Sequence, residues 1–325
     1  MLNIGVIGSG GIIGKHIMHL EGNTEAEIVA LCDVNEEMIN KTNEKYFTEN
    51  PLPGYATPQK MYDGEDLDAV IITSPHTLHF GQAMDALGNG CHVFLEKPMT
   101  TSSQDARTLS ARADELDRVV AVGYNTASKQ VFQYLRQQIR SGTWGSLEMV
   151  TGFLSQNWMK LTEGLWRQNP ELSGGGQAYD SGAHILNSLL WSVESQPESV
   201  YAITDNKGCA VDINSIMSIR FANGVLANIT ISGNCAADGR HMAFIFENAL
   251  VEIDGWGGDW IKVHANGTSS EPEIDLPEML PILNFVDAVN GKADVAAGTK
   301  NGINHSLLMD GIYESAKTGQ PVSVS

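Results

Sequence analysis

A chain of 325 residues with a formal net charge of -19 and 42% hydrophobic residues exceeds what one hydrophobic core usually holds, so two domains are expected. The acidic balance repels phosphate backbones and anionic lipid surfaces, which counts against nucleic acid or a membrane as main partner. Four cysteines, Cys32, Cys91, Cys209 and Cys235, show no Cys-x-x-Cys or Cys/His spacing, so they read as buried thiols and no metal site is expected.

The chain opens directly on an apolar strand at residues 3–7, with no basic leader, no apolar signal core and no bilayer-length run; a reducing cytoplasm is the expected compartment. Continuous apolar runs follow at 28–32, 69–73, 92–95 and 119–122. Unbroken runs mark parallel strands covered on both faces, and the segments between them are long enough for crossover helices. The clearest helix is predicted over 102–117, with Ala106, Leu109, Ala113 and Leu116 at helical spacing. Strand and helix in alternation predict a doubly wound parallel Rossmann domain over 1–123.

Beyond Gly123 the pattern changes. A helix is predicted over 129–140, and strands dominate from Ser146. Runs at 216–221 and 225–231 flank Asn223-Gly224, a hairpin turn pair. Strands at 241–246, 250–253 and 260–263 extend the sheet. Leu226, Asn228, Thr230 and Ser232 alternate with Val225, Ala227, Ile229 and Ile231, giving one polar and one apolar face. Residues 124–325 are therefore expected to form an α+β domain with a large, mainly antiparallel open-faced sheet, closed by a helix over 304–317. This second domain would bind substrate and associate with other subunits.

The first chemical signal is Gly8-Ser9-Gly10-Gly11-Ile12-Ile13-Gly14, which follows a strand and opens a helix, as a dinucleotide pyrophosphate loop does. Gly8 makes the tight turn and Gly10 lets the backbone approach the ligand. Ile13 occupies the usual third glycine position and is expected to hold the helix slightly farther from the strand. Asp33 ends the second strand, where a carboxylate accepts hydrogen bonds from ribose hydroxyls and repels a 2′-phosphate. No arginine follows in Val34-Asn35-Glu36-Glu37, so NAD is favoured over NADP.

Two further segments carry the chemistry. Glu96-Lys97-Pro98 follows the fifth strand; a lysine there stabilises an alkoxide, and Glu96 either pairs with it or meets the nicotinamide. Asp180 and His184 are four apart and would share one face of a helix that begins near them. A helix N-terminus disfavours the imidazolium and leaves a neutral proton acceptor, and Asp180 can orient the imidazole or bind a second substrate hydroxyl. Taken one at a time, each of these also fits an ordinary surface pair or a structural histidine.

Together these segments resemble the Gfo/Idh/MocA oxidoreductases, the glucose-fructose oxidoreductase and inositol dehydrogenase family. The likeness spans nearly the whole chain. It is carried by Gly8 to Ile12 with His16, Cys32-Asp33, Thr73-Ser74-Pro75-His76 with His79, Glu96-Lys97-Pro98, and Gly123-Tyr124-Asn125. It continues through Trp166-Arg167, Gly174-Gly175-Gly176, the stretch from Asp180 to His184, and the tail from Tyr313 to Gly319. The resemblance implies oxidation of a secondary hydroxyl on a sugar, pyranoside or cyclitol by hydride transfer to a nicotinamide cofactor, in a homodimer or homotetramer. It implies Lys97, Asp180 and His184 as the catalytic group, with His184 as proton acceptor ahead of Lys97. Gly8, Gly10, Gly11, Ile12, Ile13, Asp33, Ser74, Pro75, His79, Glu96, Lys97 and Asn125 would line the cofactor. Trp166 and Arg167 would stand on the nicotinamide or substrate side, and Asn157, with Trp158 and Lys160, would add substrate contacts unless Trp158 is core.

Two departures bear on the substrate. Asn187 stands where the family often has an acidic residue, and Thr126-Ala127-Ser128 where it often has an arginine and an aromatic. Both are expected to remove charge from the substrate end, which favours a neutral hydroxyl-rich substrate, such as a hexopyranoside or inositol, over a sugar acid or nucleotide sugar. Two other functions fit the same resemblance: a glycosidase or epimerase that uses tightly bound NAD for transient oxidation, and a non-catalytic NAD-sensing regulator.

Overall fold

A computed structural model describes residues 1–324, which divide into two compact units. The first unit holds residues 1–100, 104–123 and 280–300. Its strands are β1 (Leu2–Ile7), β2 (Ala26–Cys32), β3 (Gly54–Tyr55), β4 (Ala69–Ile72), β5 (His92–Leu95) and β6 (Val120–Val122). They form one six-stranded sheet, ordered β3-β2-β1-β4-β5-β6, with every pair parallel. The order reverses across β1 and β4, which puts a ligand crevice at the carboxyl ends of those strands. Ile4, Val6, Val70, Ile71, Val93 and Phe94 are fully buried, as the unbroken apolar runs require. The short β3 has no apolar run and escapes sequence reading.

Segment 280–300, expected in the second domain, belongs to this first unit. Its helix Pro281–Val289 places Ile282, Phe285 and Val286 at helical spacing, and all three join the core of Ile4, Phe94 and Ala121. The Val122 N–H then donates to the Ala297 carbonyl at 2.8 Å, so the returning chain is bonded along β6.

The second unit holds residues 101–103, 124–279 and, to the end of the described residues, 301–324. Its strands are β7 (Leu147–Ser155), β8 (Pro197–Asp205), β9 (Asn214–Phe221), β10 (Leu226–Ser232), β11 (Gly239–Phe246), β12 (Ala249–Asp254), β13 (Ile261–Ala265), β14 (Thr268–Ser270) and β15 (Val322–Ser323). The nine-stranded order is β14-β13-β12-β11-β7-β10-β9-β8-β15. All pairs are antiparallel except β7 with β10, which run parallel. The turn at Asn223-Gly224 forms as predicted, with Gly224 at φ 92°. Along β10 the alternation also holds: Ala227, Ile229 and Ile231 are buried while Leu226 and Asn228 are exposed. The outer face is less polar than that strand suggests. Leu226, Met149, Ile245 and Leu250 stand in one cross-strand row over β10, β7, β11 and β12, each more than a third exposed.

Among the described residues no helix is long and apolar enough to cross a membrane. All four cysteines are free; burial pushes the Cys32 and Cys91 thiols up to about 11, which keeps them as unreactive thiols.

Candidate active site

In the first unit the glycine loop is shaped by β1 and β4. Gly8 has φ 96°, and a side chain there would press on the Thr73 and Ser74 backbone at 2.9 Å, so only glycine fits. The open side of the loop lies at Gly10 and Gly11, where an added methyl would meet no atom within 4 Å. That clearance is what a pyrophosphate approaching the backbone requires. Ile12 is 40% exposed beside it.

Ile13 does not line this space. It is 1% exposed and belongs to the core, and the tight contact expected of a third glycine falls one residue later. A methyl on Gly14 would lie 2.1 Å from the Tyr46 hydroxyl, so helix Ile13–Leu20 still packs closely, against helix Glu36–Tyr46.

Asp33 ties the loop to the end of β2. Its Oδ2 accepts the Ser9 N–H at 2.8 Å and its Oδ1 the Asn35 N–H at 2.9 Å. A carboxylate has about four acceptor positions, so two remain for ribose hydroxyls. The next helix is capped by Asn35, which accepts the Glu37 N–H, and not by Asp33.

Glu96 and Lys97 follow β5. Glu96 Oε1 lies 2.8 Å from His16 Nε2, and Oε2 accepts the Lys97 N–H at 3.3 Å. Burial alone would raise the Glu96 carboxyl; the hydrogen bond and charge of His16, with Lys97, outweigh it and hold the group below the usual carboxylate range. Glu96 is therefore an anion inside the unit. Ser74 and Pro75 stand half-buried after β4.

His79 departs from expectation. It is fully buried, with Nδ1 2.8 Å from the Pro98 carbonyl and Nε2 2.9 Å from the Ser74 carbonyl. Instead of lining a ligand it braces the loop after β4 against the loop after β5. Burial dominates and pulls its pKa below the ordinary value, against the two carbonyls and Glu96.

In the second unit the helix Gly182–Val193 is buried at every residue except His184. His184, in the first turn, is half-buried at the edge of the core. His184 Nδ1 lies 3.1 Å from Asn125 Oδ1, and the imidazole stacks on Trp256 with centroids 4.4 Å apart and planes 16° from parallel. Asn125 Nδ2 donates to the Trp256 carbonyl at 3.1 Å. Since that carbonyl can only accept, the amide is oriented, and Asn125 presents its oxygen to His184. A neutral His184 thus carries its proton on Nδ1 and its lone pair on Nε2.

Asp180 lies in the turn before this helix, not on it, with its N–H bonded to the Gly176 carbonyl at 3.0 Å. Its Oδ2 accepts the Trp158 indole N–H at 2.8 Å and the Arg167 Nε–H at 3.0 Å. Trp158 is 3% exposed, so it packs in the core and serves Asp180 at once. The Arg167 guanidinium also lies over the Trp166 ring, 4.6 Å from its centroid. Asn157 is half-buried just before Trp158, and Lys160 is exposed.

Two buried carboxylates that sequence reading missed organise this region. Asp212 is 4% exposed and accepts from Gly176 N–H at 2.7 Å, Ala178 N–H at 2.9 Å and the Tyr313 hydroxyl at 2.6 Å. It fixes the turn that leads to Asp180. A side chain on Gly176 would fall 1.9 Å from the Asp212 carbonyl, so the glycine run is packed against this anchor. Burial and Asp212 raise the Tyr313 phenol well above its ordinary value, keeping it a donor. Asp254 is 3% exposed and accepts the Trp256 and Gly257 N–H groups, both at 3.1 Å. The only trace in the sequence is a lone acid between apolar residues, Val211-Asp212-Ile213 and Ile253-Asp254-Gly255.

The departures at Asn187 and Thr126-Ala127-Ser128 do not face a substrate. Asn187 is fully buried, donates to Thr126 Oγ1 at 2.9 Å and accepts from Asn301; Thr126 is also fully buried, and Ala127 and Ser128 are 4% and 6% exposed. They form a polar core network and say nothing about substrate charge.

Residues 2–124 match the model of the oxidoreductase family with an NAD-binding Rossmann fold, and residues 132–252 match the GFO/IDH/MocA C-terminal domain. The chain is 26% identical to D-glucoside 3-dehydrogenase of Escherichia coli (strain K12), covering 99% of this chain and 97% of that protein. It is also 26% identical to 1,5-anhydro-D-fructose reductase of Ensifer adhaerens, covering 98% of each. In fold it is similar to the WlbA dehydrogenase from Bordetella pertussis, solved with NADH and UDP-GlcNAcA, with a TM-score of 0.85 at 22% identity over 100% of this chain and 99% of that one.

Proposed function

The chain belongs to the Gfo/Idh/MocA oxidoreductases, and from that premise we propose that it oxidises a secondary hydroxyl of a neutral pyranoside or cyclitol, with NAD as cofactor. The observation that carries this reading is His184, alone unburied on its helix, with Nδ1 bonded to an oriented amide, which puts a neutral ring's lone pair on Nε2. Such a ring takes a proton from an alcohol without first changing tautomer.

In this mechanism His184 Nε2 receives the hydroxyl proton, and the Nδ1–H bond to Asn125 steadies the resulting imidazolium. The Lys97 ammonium donates to the alcohol oxygen as negative charge builds on it. Asp180, held by Trp158 and Arg167, accepts from a neighbouring substrate hydroxyl and fixes which carbon is presented. Asn157 and Arg167 add further substrate contacts. A bound nicotinamide would supply the hydride acceptor for the carbinol carbon. Gly8, Gly10, Gly11 and Ile12 would hold its pyrophosphate, Asp33 its adenosine ribose, and Ser74, Pro75, Glu96, Asn125 and Trp166 its nicotinamide half. The clearance beside Gly10 and Gly11 and the spare acceptor positions on Asp33 fit that group.

A neutral substrate agrees with the Arg167–Asp180 pair, in which the arginine's charge is already met by a carboxylate at 3.0 Å. Asp33 favours NAD because a 2′-phosphate would face its charge. The relatives named for a glucoside and an anhydrofructose support a pyranose-like substrate. The test is to incubate the protein with NAD and a panel of methyl pyranosides and inositols while following NADH absorbance and sugar products. NADH formation with one class is the expected result. New sugars without NADH would replace this reading with transient oxidation, and no reaction with NAD binding intact would favour a sensor.

A further inference from the structure

We propose that Trp256 is a positioning residue that fixes both the plane and the tautomer of His184. The inference deepens the reading above and rests on it for the role of His184.

The argument begins with what stacking alone can do. An indole parallel to the imidazole at 4.4 Å and 16° holds the ring in its plane. It does not stop the ring from turning over within that plane's two faces, an exchange that would put a carbon where Nδ1 now stands. The backbone of the same residue bars this second motion. The Trp256 carbonyl takes the Asn125 amide N–H at 3.1 Å, and this turns Asn125 Oδ1 toward His184 Nδ1, also at 3.1 Å. A flipped imidazole would bring a C–H against that oxygen and lose the bond, which favours the observed ring by about five- to tenfold. One residue therefore sets the ring's plane through its side chain and its tautomer through its carbonyl.

Trp256 can do this because its own turn is fixed. Gly255-Trp256-Gly257-Gly258 is a run that without an anchor would carry little order. The buried Asp254 accepts the N–H groups of Trp256 and Gly257 at 3.1 Å, and that of Asp259 at 3.4 Å. The Gly255 N–H is bonded to the Arg240 carbonyl at 3.0 Å, and the Arg240 guanidinium lies 5.9 Å from the indole centroid. The turn is thus held from β11 and β12, and the indole is delivered from the sheet to the helix that bears His184.

The test reads His184 directly. Imidazole nitrogen shifts of the full-length protein, labelled with nitrogen-15, are compared for the wild type, Trp256→Leu and Trp256→Phe, alongside kcat and KM on the best substrate. The wild type should show the Nδ1–H tautomer. Trp256→Leu keeps the backbone carbonyl but removes the stack, so the ring should tilt off Asn125 Oδ1, weaken its Nδ1–H bond and populate the second tautomer, lowering kcat by about tenfold or more, with KM changed less than kcat; Trp256→Phe should restore most of both. Trp256→Gln repeats the arm should leucine fail to fold. Wild-type nitrogen shifts in the folded Leu or Gln variant would overturn the proposal, whatever turnover does. Should the wild type oxidise nothing while the shifts still respond to Trp256, the positioning role stands and the dehydrogenase reading fails.

Discussion

The two units meet their tasks by different means. In the first, recognition comes from the backbone: Gly8 for its φ, Gly10 and Gly11 for clearance, and a single carboxylate, Asp33, closing the loop. In the second, the proposed site is made of polar side chains, and each stands on supports elsewhere in the sequence. Asp180 leans on Trp158, Arg167 and the Asp212 anchor, while His184 leans on Asn125 and Trp256. A backbone site is robust to nearby side-chain change. A side-chain site is only as good as its furthest support.

If that contrast holds, variants in the second unit should strike turnover and variants in the first should strike cofactor choice. The largest expected effect is at His184. His184→Ala should reduce turnover by at least about 100-fold with NADH affinity kept, measured by steady-state rates and fluorescence titration. Lys97→Ala should match it, which makes Lys97 the first-unit residue that crosses the contrast; near-normal turnover would remove either residue from the mechanism.

Next comes Asp212→Ala, which strands the Gly176 and Ala178 N–H groups and the Tyr313 hydroxyl. It should cost about 2–4 kcal/mol in urea unfolding and should also reduce turnover, although Asp212 touches no substrate in the proposed scheme. Stability lost without any change in turnover would break the link between anchor and site.

A smaller effect is expected at Asp33. Asp33→Ser should move the ratio of NAD to NADP affinity by about tenfold toward NADP while leaving kcat near its starting value. An unmoved ratio would shift the ribose contact elsewhere.

The smallest is a control far from the chemistry. Burial works to raise Glu194, but Arg136 and Arg140 overcome it and lower its pKa from the ordinary 4.5 to about 2. A depressed folded-state pKa stabilises above the unfolded value and stops doing so as pH falls through the folded one. Glu194→Gln should therefore cost about 1 kcal/mol at neutral pH, and the difference from wild type should fade between pH 4.5 and about 2. A difference that persists in acid would mean the glutamate acts through shape, not charge.

The same contrast explains what could be read in the sequence. Parallel strands announce themselves as unbroken apolar runs, and the pyrophosphate loop is a local spacing, so most of the first sheet and the glycine turn were visible. Ile13 misled because the tight helix contact moved one residue to Gly14, where it depends on Tyr46, a residue on another helix. The resemblance implies His79 as a lining residue, and nothing at its position in the sequence marks the burial that the structure shows. Asp212 and Asp254 were invisible for a related reason: each bonds to backbone N–H groups, which leave no mark in the residue types of their partners. Asn187 seemed to report on substrate charge, yet it is sealed in a network with Thr126 and Asn301. Sequence spacing speaks for neighbours along the chain and is silent about partners a hundred residues away.

The return of segment 280–300 to the first unit sets the order in which the protein can be completed during synthesis. Its parallel sheet is translated first, but the face that receives Ile282, Phe285 and Val286 must wait until more than 150 intervening residues of the second unit have been made. Until then Phe94 and Ala121 lack their partners, and an apolar flank stays open on the nascent chain. A fragment ending at Gly123 would carry the dinucleotide loop intact and still be an unfinished globule.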